Sequence, residues 1–346
     1  MTAPSDPLAF DFGLDFKPAS ERVKGEKERR REIIKGALQF HVPYLDDCLR
    51  AILPNDLIVL GAWSGAGKTE IAAQIAVGNA AVGKTVHMFA LEAEVDEIER
   101  RAKFAKVMAL AKSAGRDTYG IDYLEWYLGR ADRRIGDLDE AAEQDMQAVY
   151  SNLHTFYRGR GFTSADTIRL FQAVQSQTDL IVLDHLHYID LDDEDENRAL
   201  KRLVTDIRDV ALGMGKPVLM VVHLRKKNNS GKQFVPVLDD IHGSSDIAKI
   251  ATRSVMLAPA HMVDTGDPNK AATFMHAPKD RPSGSNPLVA CCIYDRSARR
   301  YSPQYTLGFP QQDGSFDELA ENKKPFWAKK HVPWSTATAA NYGVRP

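Results

Sequence analysis

Short apolar runs alternate with longer amphipathic segments along most of this chain. Residues 57–61 and Leu180–Asp184 are almost wholly apolar, which is typical of strands that are buried on both faces. The segment after the first run, about Lys68–Ala81, has the composition and spacing of a helix. Strands that alternate with helices predict an α/β fold with a mostly parallel central sheet flanked by helices. Further strands are predicted at 85–90, 153–157, 217–223, 254–258, 272–276 and 288–294, and further helices at about 94–111, 164–175 and 197–214.

The two ends of the chain have a different pattern. Residues 1–20 combine Asp and Pro with alternating aromatic residues and predict a flexible N-terminal tail, with a short partner-docking peptide as the alternative. Residues 21–40 are rich in charge and have one thin apolar stripe, which predicts a linker helix. Because such a stripe buries little by itself, we expect this helix to pack on a neighbouring subunit. Residues 41–310 then form the main domain, and residues 311–346 form a C-terminal tail.

Composition narrows the functional classes. The 45 Lys and Arg residues against 47 Asp and Glu residues give a formal charge of −2, which excludes a strongly basic chain that coats nucleic acid but leaves local basic loops open. Three cysteines, two of them adjacent, form neither a disulfide framework nor a zinc pattern and favour a reducing compartment. No apolar run approaches the ~20 residues that cross a bilayer, and no signal core is present, so we expect a cytoplasmic protein without a membrane partner.

Residues 61–69 read GAWSGAGKT and lie between a predicted strand and a predicted helix. This is the context of a Walker A phosphate-binding loop, here with Ala62 in place of the usual first glycine. Two glycines allow the backbone N–H groups to face the phosphates. Lys68 reaches the β- and γ-phosphates, and the Thr69 hydroxyl ligates Mg²⁺. The loop predicts that ATP, or another NTP or dNTP, binds with Mg²⁺ to Ala62, Trp63, Ser64, Gly65, Ala66, Gly67, Lys68, Thr69 and Glu70.

Two carboxylates follow apolar strands at positions that suit metal and proton chemistry. Asp184 ends the strand LIVLD, where an acidic residue can hold Mg²⁺ in the Walker B role; a helix-capping Asp is the alternative. Glu92 lies just past the strand TVHMFA, and at that edge of a sheet it can polarise an attacking water. By spacing alone, a solvated glutamate is an equally good interpretation of Glu92.

Five segments, in this order along the chain, resemble motifs of hexameric replicative helicases of the DnaB/Twinkle superfamily. Their wording is closest to the helicase half of T-odd phage primase–helicases. The resemblance covers about residues 38–305 and implies a RecA-like ATPase that assembles as a ring, of phage or bacterial origin, with primase and polymerase partners. The segments are FALEAE at 89–94, LDHLH at 183–187, VVHLRK at 221–226, DDIHGSSDI at 239–247 and PKDRPSG at 278–284.

The resemblance also implies roles for single residues. Glu92 corresponds to the catalytic base and His223 to the γ-phosphate sensor, although a buried histidine satisfied by the backbone is the alternative for His223. Arg281 resembles the arginine finger that enters the neighbouring subunit's site, with Lys279 beside it; for both, a surface cation is the alternative. Arg101 lies where the family keeps an arginine on the next helix, and the adjacent Arg100 leaves that choice open.

A basic loop is the best candidate for DNA contact. Residues 225–232 combine cations with glycine and asparagine and contain no aromatic residue, which favours backbone tracking over base stacking. A second segment, 243–245, can offer backbone N–H groups at a helix start. A solvated surface loop is the alternative for the first segment. The predicted single-stranded-DNA contacts are Arg225, Lys226, Lys227, Lys232, Gly243, Ser244 and Ser245.

These features favour an ATP-dependent replicative helicase that moves along single-stranded DNA as a homo-hexamer or similar ring. A RecA-like regulator or loader that acts on a protein partner is the main alternative, and a non-catalytic assembly subunit is a third. About 55 residues precede the first predicted strand, which is too few for a primase or collar domain and keeps the second interpretation open.

Overall fold

A computed structural model describes residues 18–157, 161–191, 195–225, 235–242, 245–284, 286–311 and 315–329. The chain divides into two units, residues 1–37 and 38–346. The described part of the first unit contains helices α1 (Ala19–Arg22) and α2 (Glu26–Gly36), and neither buries a residue. The charge-rich linker segment is therefore helical, with the apolar side chains of Val23, Ile33 and Ile34 exposed.

A ten-stranded sheet forms the second unit, with the strand order β10-β9-β8-β7-β6-β1-β5-β4-β2-β3. Six strands, β6-β1-β5-β4-β2-β3, run parallel, and β7 to β10 continue the sheet antiparallel beyond β6. This architecture confirms the predicted α/β class with a mostly parallel sheet. The strands are β1 Leu57–Ala62, β2 Val86–Ala90, β3 Leu153–Tyr157, β4 Leu180–Asp184, β5 Val218–His223, β6 Arg253–Pro259, β7 Lys270–Asp280, β8 Val289–Asp295, β9 Arg300–Pro310 and β10 Phe316–Glu318.

Helices cover the sheet because alternate residues of its strands enter hydrophobic cores on opposite faces. Ile58 packs in the core that contains Ile71 of the helix after β1, and Val59 packs in the core that contains Leu203 of a later helix. A third, smaller core joins the helices between β2 and β3. The helices of this unit are α3 Pro43–Leu49, α4 Lys68–Ala81, α5 Glu97–Ser113, α6 Tyr123–Tyr127, α7 Asp132–Ile135, α8 Asp139–Tyr150, α9 Ser164–Val174, α10 Glu196–Met214, α11 Ser245–Ile250 and α12 Phe326–Lys329.

The antiparallel part of the sheet extends into the segment predicted as a C-terminal tail. Residues Phe316–Glu318 pair with β9, and Trp327 of α12 lies against Tyr44 of α3 with 6.3 Å between the ring centroids. None of the helices in the described parts of the chain is both long enough and apolar enough to cross a bilayer.

Strand register brings the predicted site residues to one edge of the sheet. Ala62 at the end of β1 lies opposite His223 at the end of β5, and Ala90 at the end of β2 lies opposite Asp184 at the end of β4. Because these strands are parallel, their carboxyl ends meet at the same edge, where ligands bind in open α/β sheets.

Candidate active site

The segment between β1 and α4 has the geometry of a phosphate loop. Gly65 and Gly67 have φ angles of +78° and +85°, in the left-handed region that glycine adopts without steric cost. Helix α4 begins directly after them at Lys68, so its unpaired N–H groups and the positive end of its dipole face the loop. The predicted strand–loop–helix context of the Walker A motif is therefore present.

Lys68 lies inside this loop rather than on the surface. Its Nζ donates to the carbonyl oxygens of Ala62 and Trp63, each at 3.3 Å, and the residue is only 7% exposed. Burial lowers the pKa of the Lys68 ammonium, and the nearby carboxylates of Glu92 and Asp184 oppose that shift. The lysine is thus held at the loop in a position where a phosphate can replace weak carbonyl contacts.

Asp184 ends β4 as a fully buried carboxylate. Neither of its oxygens has a hydrogen-bond partner within the described residues. Burial raises its pKa to about 6, and the neighbouring Thr69 hydroxyl moderates this shift. A buried, unsatisfied carboxylate beside a hydroxyl is an oxygen donor set that fits Mg²⁺.

Glu92 follows β2 and reaches the same edge of the sheet. Its side chain is 43% exposed, and its Oε2 lies 3.2 Å from Nε2 of His185, the residue after Asp184. Burial, reinforced by His223, His187 and Lys68, lowers the pKa of His185 to about 3, so this contact is not an ion pair. Glu92 therefore combines access to solvent with a position near Lys68.

Histidines surround Glu92 on its buried side. The His185 ring lies 4.0 Å from the ring of His223, between their centroids, in an edge-on arrangement. His187 Nδ1 accepts the backbone N–H of His223 at 3.3 Å. Burial lowers the pKa of His187 to about 4 and also lowers the pKa of His223. Neutral rings next to the phosphate loop can donate or accept one hydrogen bond each without adding charge.

A cleft of about 870 Å³ adjoins the phosphate loop on the side of the antiparallel strands. One wall is Gly65–Gly67 with Glu70, and the opposite wall comes from the segment between β6 and β7. Its aromatic and cationic lining is Tyr294, Arg296 and Tyr301. The cleft has the size and polarity of a small-molecule site.

The DnaB-like helicase C-terminal domain family model matches residues 37–285. This chain belongs to that family. No curated protein gives a significant match to it. The family membership agrees with the predicted resemblance and with the site geometry, and it shows a helicase-type ATPase domain.

Solved structures similar to this DnaB-like domain share its fold at low sequence identity. One of them, an ATPase domain solved by itself, superposes with a TM-score of 0.66 at 13% identity and covers 84% of this chain and 100% of its own. A DnaB-like replicative helicase, solved to describe its interactions with primase, gives 0.64 at 13% identity and covers 83% and 67%. The KaiC-like protein PH0186 from the archaeon Pyrococcus horikoshii OT3 gives 0.50 at 14% identity and covers 77% and 99%. These similarities confirm the RecA-like fold.

Arg101 of the DnaB-like domain is engaged in a network at the start of α4. Its guanidinium donates to Glu70 at 2.8 Å and also pairs with Glu97. Glu70 in addition accepts from Arg299 and from the hydroxyl of Tyr294. Sequence reasoning missed the last two residues, which come from the β8–β9 hairpin more than two hundred positions away.

Arg281 and Lys279 lie at the opposite edge of the sheet from the phosphate loop. Asp280 pairs with Arg253, which in turn lies beside Ile58 at the start of β1. The backbone N–H of Arg281, an exposed residue, donates to the Thr252 carbonyl at 3.0 Å. Lys279 Nζ donates at 2.7 Å and 3.0 Å to the carbonyl oxygens of Ala248 and Lys249, near the end of α11. Neither cation can therefore reach the phosphate loop of its own chain.

The predicted DNA contacts lie around the ends of β5 and α11. Arg225 is exposed directly after β5, and its backbone N–H donates to Asp240 at 2.7 Å. Ser245 begins α11. Lys226, Lys227, Lys232, Gly243 and Ser244 lie outside the described residues. The described flanks place both segments on the same edge of the sheet as Lys68 and His223.

Proposed function

We propose that this chain is the motor of a replicative DNA helicase, which hydrolyses ATP, moves along single-stranded DNA as a ring and unwinds the duplex. The observation that carries the proposal is the convergence of the phosphate loop, Asp184, Glu92 and His223 at one sheet edge of a DnaB-like domain. Each of these residues has a separate role in phosphoryl transfer.

The chain's own residues divide the work of hydrolysis. Lys68 and the N–H groups of the loop bind the β- and γ-phosphates. Thr69 and Asp184 would hold Mg²⁺, which when bound neutralises the charge of the phosphates. Glu92 accepts the proton of the attacking water, because its carboxylate is the one at this edge that is open to solvent.

The cleft beside the phosphate loop supports a site for the nucleoside part of ATP. Its walls continue from Gly65–Gly67, so a triphosphate seated on the loop directs its base and ribose towards Tyr294 and Arg296. An aromatic ring and a guanidinium are groups that stack on a nucleobase.

Arg281 supports a site completed by a second subunit. The four residues from Ile58 to Ala62 separate it from its own phosphate loop by about 13 Å along the sheet. A neighbour that brings its amino-terminal sheet edge to this site would supply Arg281 to the transition state, a contribution of order 10³–10⁵ in rate in other NTPases. The exposed apolar residues Val23, Ile33 and Ile34 support the proposal that the linker helix packs on that neighbour.

His223 links hydrolysis to movement on DNA. It ends β5, beside the phosphate loop, and the basic segment 225–232 follows it directly. Loss of the γ-phosphate would change the hydrogen bond of His223 and shift this segment, which tracks the DNA backbone. Primase and polymerase are the proposed protein partners of the motor; one similar helicase was solved to describe its interactions with primase.

The test compares ATP hydrolysis with and without single-stranded DNA in wild-type protein and in the triple variant Lys226→Ala, Lys227→Ala, Lys232→Ala. We expect DNA to stimulate the wild type and not the variant, with basal turnover unchanged. DNA affinity should fall with salt at a slope of about −0.7 per phosphate neutralised, and the variant should show a shallower slope.

A charge-matched control changes three lysines away from this edge. Lys84 precedes β2, Lys106 lies within α5 and Lys216 precedes β5, so replacing them with Ala should preserve DNA stimulation. If nucleotide-loaded wild-type protein binds no single-stranded DNA, the helicase proposal fails, and a regulator or loader that acts on a protein partner becomes the better hypothesis.

A further inference from the structure

Three side chains at the active site have the donor atoms of a transition-metal site. One ligand atom each of Glu92, His185 and His223 can be chosen so that all lie within 4.8 Å of one another. Two imidazoles and a carboxylate form a donor set that suits Zn²⁺ and other first-row divalent ions. Mg²⁺ prefers oxygen ligands, so this set differs in chemistry from Thr69 and Asp184.

His185 is the strongest sign that the cluster can hold a ligand. The residue is fully buried, and neither ring nitrogen has a hydrogen-bond partner within the described residues. Its Nε2 lies 3.2 Å from the Glu92 carboxylate, but the contact lacks the geometry of a hydrogen bond. Buried ring nitrogens without partners are costly, and a coordinated ion would satisfy one of them.

The cluster is also accessible from one side. Glu92 is 43% exposed and His223 is half-buried at the end of β5, so an ion can enter from solvent and keep a fourth position open. His187 is excluded from the set because its Nδ1 accepts the His223 backbone N–H, at 3.3 Å, and its Nε2 lies 3.4 Å from the His242 carbonyl. The first of these contacts instead holds the backbone of His223 in place.

We propose that the nucleotide-free chain binds one Zn²⁺, or a similar first-row divalent ion, through Glu92, His185 and His223. Binding itself does not depend on the proposed function. Its consequence does: a Glu92 carboxylate that coordinates the ion cannot accept a proton from water, and a coordinated His223 cannot contact the γ-phosphate. The bound ion therefore inhibits ATP hydrolysis.

The test titrates the nucleotide-free full chain with Zn²⁺ by calorimetry and with Co²⁺ by absorption, both in excess Mg²⁺. We expect one equivalent to bind, with Co²⁺ bands typical of nitrogen and oxygen ligands and without the charge-transfer band of a thiolate. His185→Ala and His223→Gln should each weaken Zn²⁺ binding by at least about tenfold. His154→Ala is the control, because His154 stacks on His87 at 4.7 Å and contributes nothing to the cluster.

Two variants keep the proposal open to refutation even if one of them unfolds. His185→Ala removes a buried ring, whereas His223→Gln and Glu92→Gln change groups that are partly exposed, and circular dichroism checks all three. Unchanged affinity in the folded variants, or a thiolate band from the cysteines, overturns the site. Zn²⁺ that binds without slowing hydrolysis overturns the inhibition. If the wild type hydrolyses no ATP at all, the proposed function fails while the titration still decides the site.

Discussion

Among single residues, Glu92 has the environment that best separates its role from that of its neighbours. Asp184 is buried and has no hydrogen-bond partner within the described residues, which suits a metal ligand, whereas Glu92 is 43% exposed and can meet water. Two carboxylates at one edge thus differ in access to solvent, and access decides which of them acts as the base.

Replacing Glu92 with Gln should lower ATP turnover at least about a hundredfold and leave nucleotide binding intact. The amide has the shape of the carboxylate but cannot take up the proton of water. Steady-state hydrolysis and binding of a fluorescent nucleotide measure the two effects separately. Glu94→Gln is the control, because Glu94 is 85% exposed and pairs only loosely with Arg100, at 3.6 Å. Near-normal turnover in Glu92→Gln would mean that Glu92 is a bystander.

At the level of secondary-structure elements, Glu70 joins three parts of the fold beside the phosphate loop. It lies in the first turn of α4 and accepts from Arg101 of α5, at 2.8 Å, and from Tyr294 and Arg299 of the β8–β9 hairpin. Arg299 also lies over the ring of Tyr123, at 5.4 Å. The loop is thereby anchored to elements that are distant along the chain.

The variant Glu70→Ala should lower the free energy of unfolding by about 1–3 kcal/mol, because two partly buried guanidinium groups lose a shared carboxylate. Urea unfolding at fixed pH measures the change, and Glu70→Gln should fall between the two proteins because it keeps hydrogen bonds but loses charge. Glu143→Ala is a matched control: Glu143 pairs with Lys103 at 3.0 Å but is 57% exposed, so the loss should stay below about 1 kcal/mol. Equal losses in both alanine variants would contradict the anchoring role.

At the scale of the whole molecule, the two edges of the sheet carry different halves of the proposed site. Lys68 and Glu92 lie at the carboxyl edge of the parallel strands, and Arg281 lies at the amino edge. A ring that repeats one interface would bring the amino edge of each subunit to the carboxyl edge of the next, as in any head-to-tail assembly.

Mixtures of inactive variants test this arrangement. Arg281→Ala mixed with Lys68→Ala should regain part of the ATPase activity, because some interfaces then combine an intact Lys68 with an intact Arg281. Glu92→Gln mixed with Lys68→Ala is the control and should stay inactive, because both residues belong to the same subunit's half of the site. Activity is measured after subunit exchange. A first mixture that remains as inactive as the control would refute a role for Arg281 across the interface.

The sequence by itself was sufficient for the strands and the phosphate loop. Leu180–Asp184 and Lys68–Ala81 appear in the structure with the predicted bounds. Apolar runs, helical spacing and glycines at a turn are short-range signals, and they do not depend on what the rest of the chain does. The same holds for the motif order that identified the family, since each motif is a contiguous stretch.

Only the tertiary structure decided which distant residues meet. Strand order places Glu92 beside His185, and the β8–β9 hairpin brings Arg299 to Glu70, although neither contact has a signal in local spacing. The antiparallel extension with β9 and β10 was likewise unpredicted, because strand pairing depends on partners far along the chain rather than on periodicity. The position of Arg281 at the edge opposite Lys68 follows from register alone, a long-range property that no window of sequence contains.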